Sequence, residues 1–78
     1  MLRSVVLGCG AYLPEKIMTN DDIAKFVDTT HDWVVERSGI HQRHIAADGE
    51  LTSDLALAAS KHALERAGLD AQDIDLIV

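Results

Sequence analysis

Apolar residues cluster in two short runs, one near each end of the chain. The first run covers residues 5–7 and is closed by Gly8 and Gly10. It predicts a buried strand, because β-branched residues favour extended backbone and glycines permit the sharp turn that ends it. The second run, residues 74–78, reads IDLIV and predicts another strand, buried on both faces.

Helix signals fill the first part of the chain between these two strands. Asn20 is expected to cap a short helix, followed by acidic residues that favour a helix start and by an apolar stripe over residues 23–27. Capping and acidic side chains at residues 28–32 predict the start of a second helix. Gly39 ends that helix, because glycine readily adopts the left-handed conformation of a C-cap.

A third helix is the longest that the pattern predicts. Residues 40–47 suit an extended segment that ends in a turn at residues 48–49, and the helix then starts at Thr52 or Ser53 and stops at Gly68. Its alanine-rich face permits close approach to a sheet or another helix. Strand, helices and strand together predict part of a parallel α/β sheet. Two strands do not make a stable sheet of that kind, so we expect a single piece of a larger fold.

Composition and charge limit the classes of protein to which the chain can belong. Of its 78 residues, 47% are hydrophobic and 26% are charged, which is typical of folded proteins. A net charge of −6 disfavours binding to nucleic acid, whose phosphate backbone attracts basic surfaces. The first apolar run is too short to span a membrane and is followed by no cleavage site. We therefore expect a cytoplasmic protein with no nucleic-acid or membrane partner.

Cysteine and histidine offer little chemistry in this pattern. Cys9 is the single cysteine, which excludes an internal disulfide and a cysteine-based zinc cluster. No neighbouring base would activate its thiol, so we expect a small buried residue at the strand end and not a nucleophile. His41 and His44 should point to opposite faces of an extended segment, and His31 and His62 lie on separate helices. We therefore expect no metal site.

Trp33 and Arg37 form the most informative pair in the sequence. They lie four residues apart on the second helix, so their side chains share one face. An indole stacked on a purine, with a guanidinium alongside it, is a sound way to hold an adenine. Spacing alone favours the other interpretation, a tryptophan of the core with an arginine packed over it, because a lone tryptophan is usually structural.

Several strings of the sequence resemble one family of condensing enzymes. Residues 28–40 read DTTHDWVVERSGI, residues 43–47 read RHIAA, and residues 8–15 read GCGAYLPE. These strings, in this order, resemble the N-terminal signature of the β-ketoacyl-acyl carrier protein synthase III family. Ser38 and His41 depart from the resemblance, since the family commonly has threonine and arginine at those places.

The resemblance implies a fold class and a place within it. The family has the thiolase-like α/β fold, a layered α/β/α/β/α arrangement of two related halves. Residues 1–78 would form the N-terminal part of the first half, with the remainder of the enzyme missing. The family's catalytic cysteine, histidine and asparagine would all lie after Val78. We therefore assign no catalytic residue to this chain and expect the isolated fragment to be inactive.

The resemblance also implies an activity and a binding site. The full-length enzyme would be an acyltransferase that starts fatty acid biosynthesis. It would condense an acyl-CoA primer, such as acetyl-CoA, with malonyl-acyl carrier protein and release CO2, acting as a homodimer without a permanently bound cofactor. The coenzyme A thioester would be its substrate, with Thr29, Trp33 and Arg37 binding the adenine part. The alternatives are a related condensing enzyme of secondary metabolism and a non-catalytic, truncated CoA-binding fragment.

Overall fold

The computed structural model describes residues 2–78 and contains a small sheet and three helices. In chain order the elements are β1 (Lys16–Thr19), α1 (Asn20–Ala24), α2 (His31–Ser38), β2 (Gln42–Ile45) and α3 (Thr52–Ala67), followed by a 3-10 turn, Ala71–Asp73. The chain divides into a central unit, Leu13–Glu50, and a terminal unit that joins the residues up to Tyr12 with Leu51–Val78.

The sheet lies in the central unit and is antiparallel. β1 pairs with β2 so that Met18 is opposite Arg43 and Ile17 is opposite His44. This sheet is formed by other segments than the predicted strands 5–7 and 74–78, and no parallel pairing is present within residues 2–78. The extended segment expected over residues 40–47 is confirmed, since it contains β2. Its partner β1 was not predicted, because four residues after a proline are too few for a clear apolar alternation.

α1 begins with a reciprocal capping interaction at Thr19, one residue before the predicted cap. The Thr19 hydroxyl accepts from the Asp22 amide at 3.2 Å, and the Asp22 carboxylate accepts from the Thr19 amide at 3.0 Å. The expectation that Asn20 caps this helix is wrong. Asn20 is fully buried, and its Nδ2 atom donates to the carbonyl oxygen of Ile40 at 2.7 Å. Its amide therefore joins α1 to the chain after α2.

α2 starts and stops as the sequence predicts. The Thr30 hydroxyl accepts a hydrogen bond from the Trp33 amide at 3.2 Å, so Thr30 is the N-cap. Gly39 closes the helix in the left-handed region with a φ of 72°. Its amide donates to the Val35 carbonyl at 2.8 Å, which satisfies one of the last free carbonyls of the helix.

α3 holds the terminal unit together through its small residues. An added Cβ at Gly10 would lie 2.4 Å from the Ala63 amide nitrogen and 2.7 Å from the Ala59 carbonyl oxygen. The backbone of the glycine segment thus lies directly on the helix. The alanine-rich face is closely approached, as expected, but by a segment without regular secondary structure and not by a sheet or another helix. The Ala11 amide donates to Nδ1 of His62 at 3.1 Å and fixes the segment along the helix.

The two apolar runs predicted as strands are not strands in this structure. Residues 5–7 and 74–78 have no regular secondary structure, and Val6 is 85% exposed and Ile77 is 88% exposed. Cys9 is exposed as well, which contradicts the buried position expected for it. The physical reason is that a strand needs a hydrogen-bonded neighbour, and within residues 2–78 neither run has one.

Candidate functional site

An open groove of about 570 Å³ lies in the central unit. It is formed where the end of α1, the loop before α2, the first turn of α2 and strand β2 come together. Most of its lining surface is apolar, which suits a flat hydrophobic ligand group. The lining residues are Ile23, Val27, Asp28, Thr29, Thr30, Trp33, Val34 and Arg43.

The two adjacent threonines at the groove have different tasks. The Thr30 hydroxyl is occupied by the Trp33 amide as the cap of α2. The Thr29 hydroxyl oxygen is buried and has no hydrogen-bond partner within the described part of the chain. A buried polar atom without a partner is energetically costly, and Oδ1 of Asn20 is a second such atom among the described residues. Thr29, unlike Asn20, lines the groove, so its hydroxyl is the one placed near a polar atom of a bound molecule.

Trp33 and Arg37 contact each other as their spacing predicts. The Arg37 guanidinium lies over the indole, with its central carbon 4.7 Å from the ring centroid. The indole remains 54% exposed, although tryptophan is usually well covered in a folded protein. Arg37 does not itself line the groove. The structure therefore brings Thr29 and Trp33 together at the groove and joins Arg37 to them through the indole.

Arg43 is a lining residue that the sequence did not mark as a candidate. It lies on β2, and its place beside Thr29 and Trp33 depends on the pairing of β2 with β1. Because β1 was not predicted, that placement could not be inferred. Its basic character within an extended segment and its place at the start of the string RHIAA were the available signals, and neither indicates a ligand contact by itself.

The histidines lie outside the groove and make contacts within the chain. His31 Nδ1 is 3.2 Å from Nδ2 of Asn20, and its ring centroid is 5.4 Å from that of His41. His44 Nδ1 is 2.6 Å from the carbonyl oxygen of Pro14. Residues 2–78 contain no group of three or more histidine, cysteine, aspartate or glutamate side chains placed to hold a metal ion.

The pKa of Asp22 is lowered by its local hydrogen bonds. The Thr19 amide contributes most, followed by the Thr19 hydroxyl, while Lys25 Nζ lies 3.5 Å from the carboxylate. Asp22 does not line the groove. Its charge therefore serves the start of α1 and has no direct part in ligand chemistry.

Comparison with known proteins finds close relatives over nearly the whole chain. The chain is 61% identical over 77 residues to the β-ketoacyl-[acyl-carrier-protein] synthase III of Rhodospirillum centenum. The match covers 99% of this chain and 24% of the relative, so the chain spans about a quarter of the length of the curated relatives it matches. No protein-family model matches the chain.

Solved structures give the same result. The 3-oxoacyl-[acyl-carrier-protein] synthase III of Aquifex aeolicus matches with a TM-score of 0.78 and 40% identity, over 88% of this chain and 22% of that one. The priming β-ketosynthase of the R1128 polyketide pathway matches with a TM-score of 0.80 and 40% identity, over 90% and 21%. These matches confirm the predicted thiolase-like α/β fold class. Over the segment that it spans, the chain is a homologue of the β-ketoacyl-acyl carrier protein synthase III family.

Proposed function

We propose that the full-length protein containing this chain is an acyltransferase that starts fatty acid biosynthesis. It condenses an acyl-CoA primer, such as acetyl-CoA, with malonyl-acyl carrier protein and releases CO2. The identity of 61% to a synthase III supports this activity, which requires the three quarters of the enzyme that this chain does not span. The proposal includes a homodimeric, cytoplasmic enzyme without nucleic-acid or membrane partners. None of the described helices is long and apolar enough to cross a membrane.

Within this chain, we propose that the groove binds the adenine end of the coenzyme A thioester. The observation that carries this proposal is the half-exposed Trp33 indole beside the unpartnered hydroxyl of Thr29. An adenine stacked on the indole covers apolar surface that is otherwise in water. The Thr29 hydroxyl hydrogen-bonds a ring nitrogen or the amino group of the adenine. The Arg37 guanidinium contacts the indole ring and holds it in place.

The activity is tested by CO2 release from malonyl-acyl carrier protein in the presence of acyl-CoA primers, with the purified full-length protein. We expect turnover with at least one short primer and none when the primer is left out. No turnover with any short primer would disprove the proposed condensation. Binding of coenzyme A, measured separately by calorimetry, reports on the groove independently of that result.

A second candidate function is a condensing enzyme of secondary metabolism that uses another primer. The structural match to the priming β-ketosynthase of a polyketide pathway favours it, because its TM-score is similar to that of the Aquifex synthase. Primer profiling separates the two functions. A clear preference for acetyl-CoA supports fatty acid initiation, whereas preference for a longer or unusual acyl group supports a role in secondary metabolism.

A further inference from the structure

Arg43 gives the groove a positive charge that neither Trp33 nor Thr29 can supply. Among the lining residues two are charged, Arg43 and Asp28, and the rest are apolar, aromatic or hydroxyl-bearing. A positively charged donor makes the stronger hydrogen bonds to phosphate, whereas a carboxylate repels it. Arg43 is therefore the lining side chain with the charge that an anionic ligand group needs.

The Arg43 guanidinium is also available for such a ligand. Within residues 2–78 it forms no ion pair and no side-chain hydrogen bond. Arg43 is exposed on β2, and its backbone is held in place by the pairing with Met18. Arg37, by contrast, lies over the Trp33 ring. The chain has a net charge of −6, yet this arginine at the groove has no carboxylate partner among the described residues. Its charge is therefore available to an anionic ligand group.

We propose that Arg43 binds a phosphate group at the nucleotide end of the ligand, while Trp33 stacks on the base. This inference rests on the proposed function, since it assumes that the groove holds the adenosine part of coenzyme A. The guanidinium presents parallel N–H donors that match two phosphate oxygens, a geometry that lysine does not reproduce. The division of tasks is thus a base held by stacking and a phosphate held by charge.

Two nucleotide probes separate these tasks in the full-length protein. Binding of adenosine 3′,5′-bisphosphate and of adenosine is measured by competition with coenzyme A, for wild type, Arg43→Gln, Arg43→Lys and Trp33→Ala. We expect Arg43→Gln to weaken the bisphosphate about tenfold or more, the typical range for a hydrogen bond to a charged group, and to leave adenosine unchanged. Trp33→Ala should weaken both probes.

The remaining outcomes each decide the inference. Equal binding of the bisphosphate by wild type and Arg43→Gln overturns it, while a loss for Trp33→Ala leaves the proposed adenine site standing. An equal loss of both probes in Arg43→Gln also overturns it, because the arginine would then act on the shape of the groove. Wild-type protein that binds neither probe contradicts the proposed adenine site itself.

Arg43→Lys keeps the test decisive if Arg43→Gln does not fold. Lysine retains the charge and loses the paired donors, so the preference for bisphosphate over adenosine should fall several-fold with adenosine unchanged. An unchanged preference in Arg43→Lys overturns the paired-donor contact. Thermal unfolding of each variant shows whether its fold is intact.

Discussion

Trp33 carries a guanidinium near its ring and still leaves about half of its surface in water. The cation–π contact with Arg37 contributes about 0.5–1 kcal/mol at an exposed site. This is less than the free energy that full burial of a large aromatic side chain would contribute. Burying aromatic surface is favourable, so the exposed indole is a ready stacking surface for a ligand. Other large apolar side chains of residues 2–78 are exposed as well. Trp33 differs from most of them because it lines the groove beside Thr29, and the adenine proposal therefore depends on it.

Replacement of Trp33 by alanine tests that role. We expect Trp33→Ala in the full-length enzyme to lower kcat/KM for acyl-CoA. The loss should correspond to about 1–3 kcal/mol of transition-state stabilisation, the range for aromatic stacking on a base. Trp33→Phe is the matched control and should retain part of the affinity, because a smaller ring still stacks. Steady-state kinetics with varied acyl-CoA measure the effect. Unchanged kinetics in Trp33→Ala would make the indole a packing residue.

A substitution at Gly10 tests the close approach of the glycine segment to α3 in the terminal unit. A methyl group there would lie 2.4 Å from the backbone of α3, where no flexible side chain can move aside. We expect Gly10→Ala to destabilise the full-length protein by about 1–3 kcal/mol, as overpacking usually does. Gly8→Ala is the graded comparison, because its nearest contact is longer at 2.9 Å. Thermal unfolding should rank wild type, Gly8→Ala and Gly10→Ala; identical midpoints for all three would contradict the close approach.

At the scale of elements, the cap of α2 connects helix stability with ligand binding. The Thr30 hydroxyl holds the Trp33 amide, so the first turn of the helix and the position of the indole depend on one hydrogen bond. We expect Thr30→Ala to cost about 1 kcal/mol of stability and to weaken coenzyme A binding. Thr30→Ser keeps the hydroxyl and should behave like wild type. Calorimetric titration with coenzyme A checks both variants; full affinity in Thr30→Ala would show that the indole is positioned without the cap.

The capping interaction of α1 makes a prediction about pH. Hydrogen bonds from Thr19 lower the pKa of Asp22 below its ordinary value of 3.8. A carboxyl with a lowered pKa in the folded state stabilises the protein above the ordinary value, and this contribution is lost as the pH falls through the lower, folded-state pKa. Wild type should therefore be more stable than Asp22→Asn at neutral pH, with a difference that shrinks below about pH 4. Thermal unfolding at several pH values measures it, and a difference independent of pH would contradict it.

The elements that the sequence predicted well are those with local signals. α2 and α3 each end at a glycine in the left-handed conformation, Gly39 and Gly68, and α2 begins at a capping threonine. The strands were predicted badly, because pairing depends on residues far apart in the chain. Thus β1 was missed, and the two apolar runs lack strand structure.

The residues of the candidate site differ in the same way, since some are placed by local helix geometry and one is placed by strand pairing. Trp33 and Arg37 could be paired from the sequence, since four residues on a helix fix their relation. Arg43 could not be added, because its place beside Trp33 requires the register of β1 and β2. The assignment of Thr29 came from the resemblance, and its unpartnered hydroxyl supplies a physical reason for that assignment.

At the scale of the molecule, the described residues lack the buried apolar surface that stabilises a fold. Within residues 2–78 only Pro14 and Asn20 are buried, and no residue of the hydrophobic class has a buried side chain. Large side chains in both apolar runs are mostly in water, among them Val6, Leu76 and Ile77. Burial of apolar surface is the main favourable contribution to folding, at roughly 25 cal/mol per Å². The local caps and the small antiparallel sheet cannot replace that contribution.

We therefore expect a peptide of residues 1–78 to lack a cooperative fold and to be inactive. Its thermal unfolding, followed by circular dichroism at low concentration, should be broad, and it should bind a hydrophobic dye strongly. The full-length protein is the control and should unfold in a sharp transition with little dye binding, because a chain about four times longer can cover the same apolar runs. A sharp, reversible transition of the isolated peptide, together with binding of coenzyme A, would favour the alternative of an autonomous CoA-binding fragment. Caps and helix propensity would then be sufficient for the groove around Trp33 without a buried core.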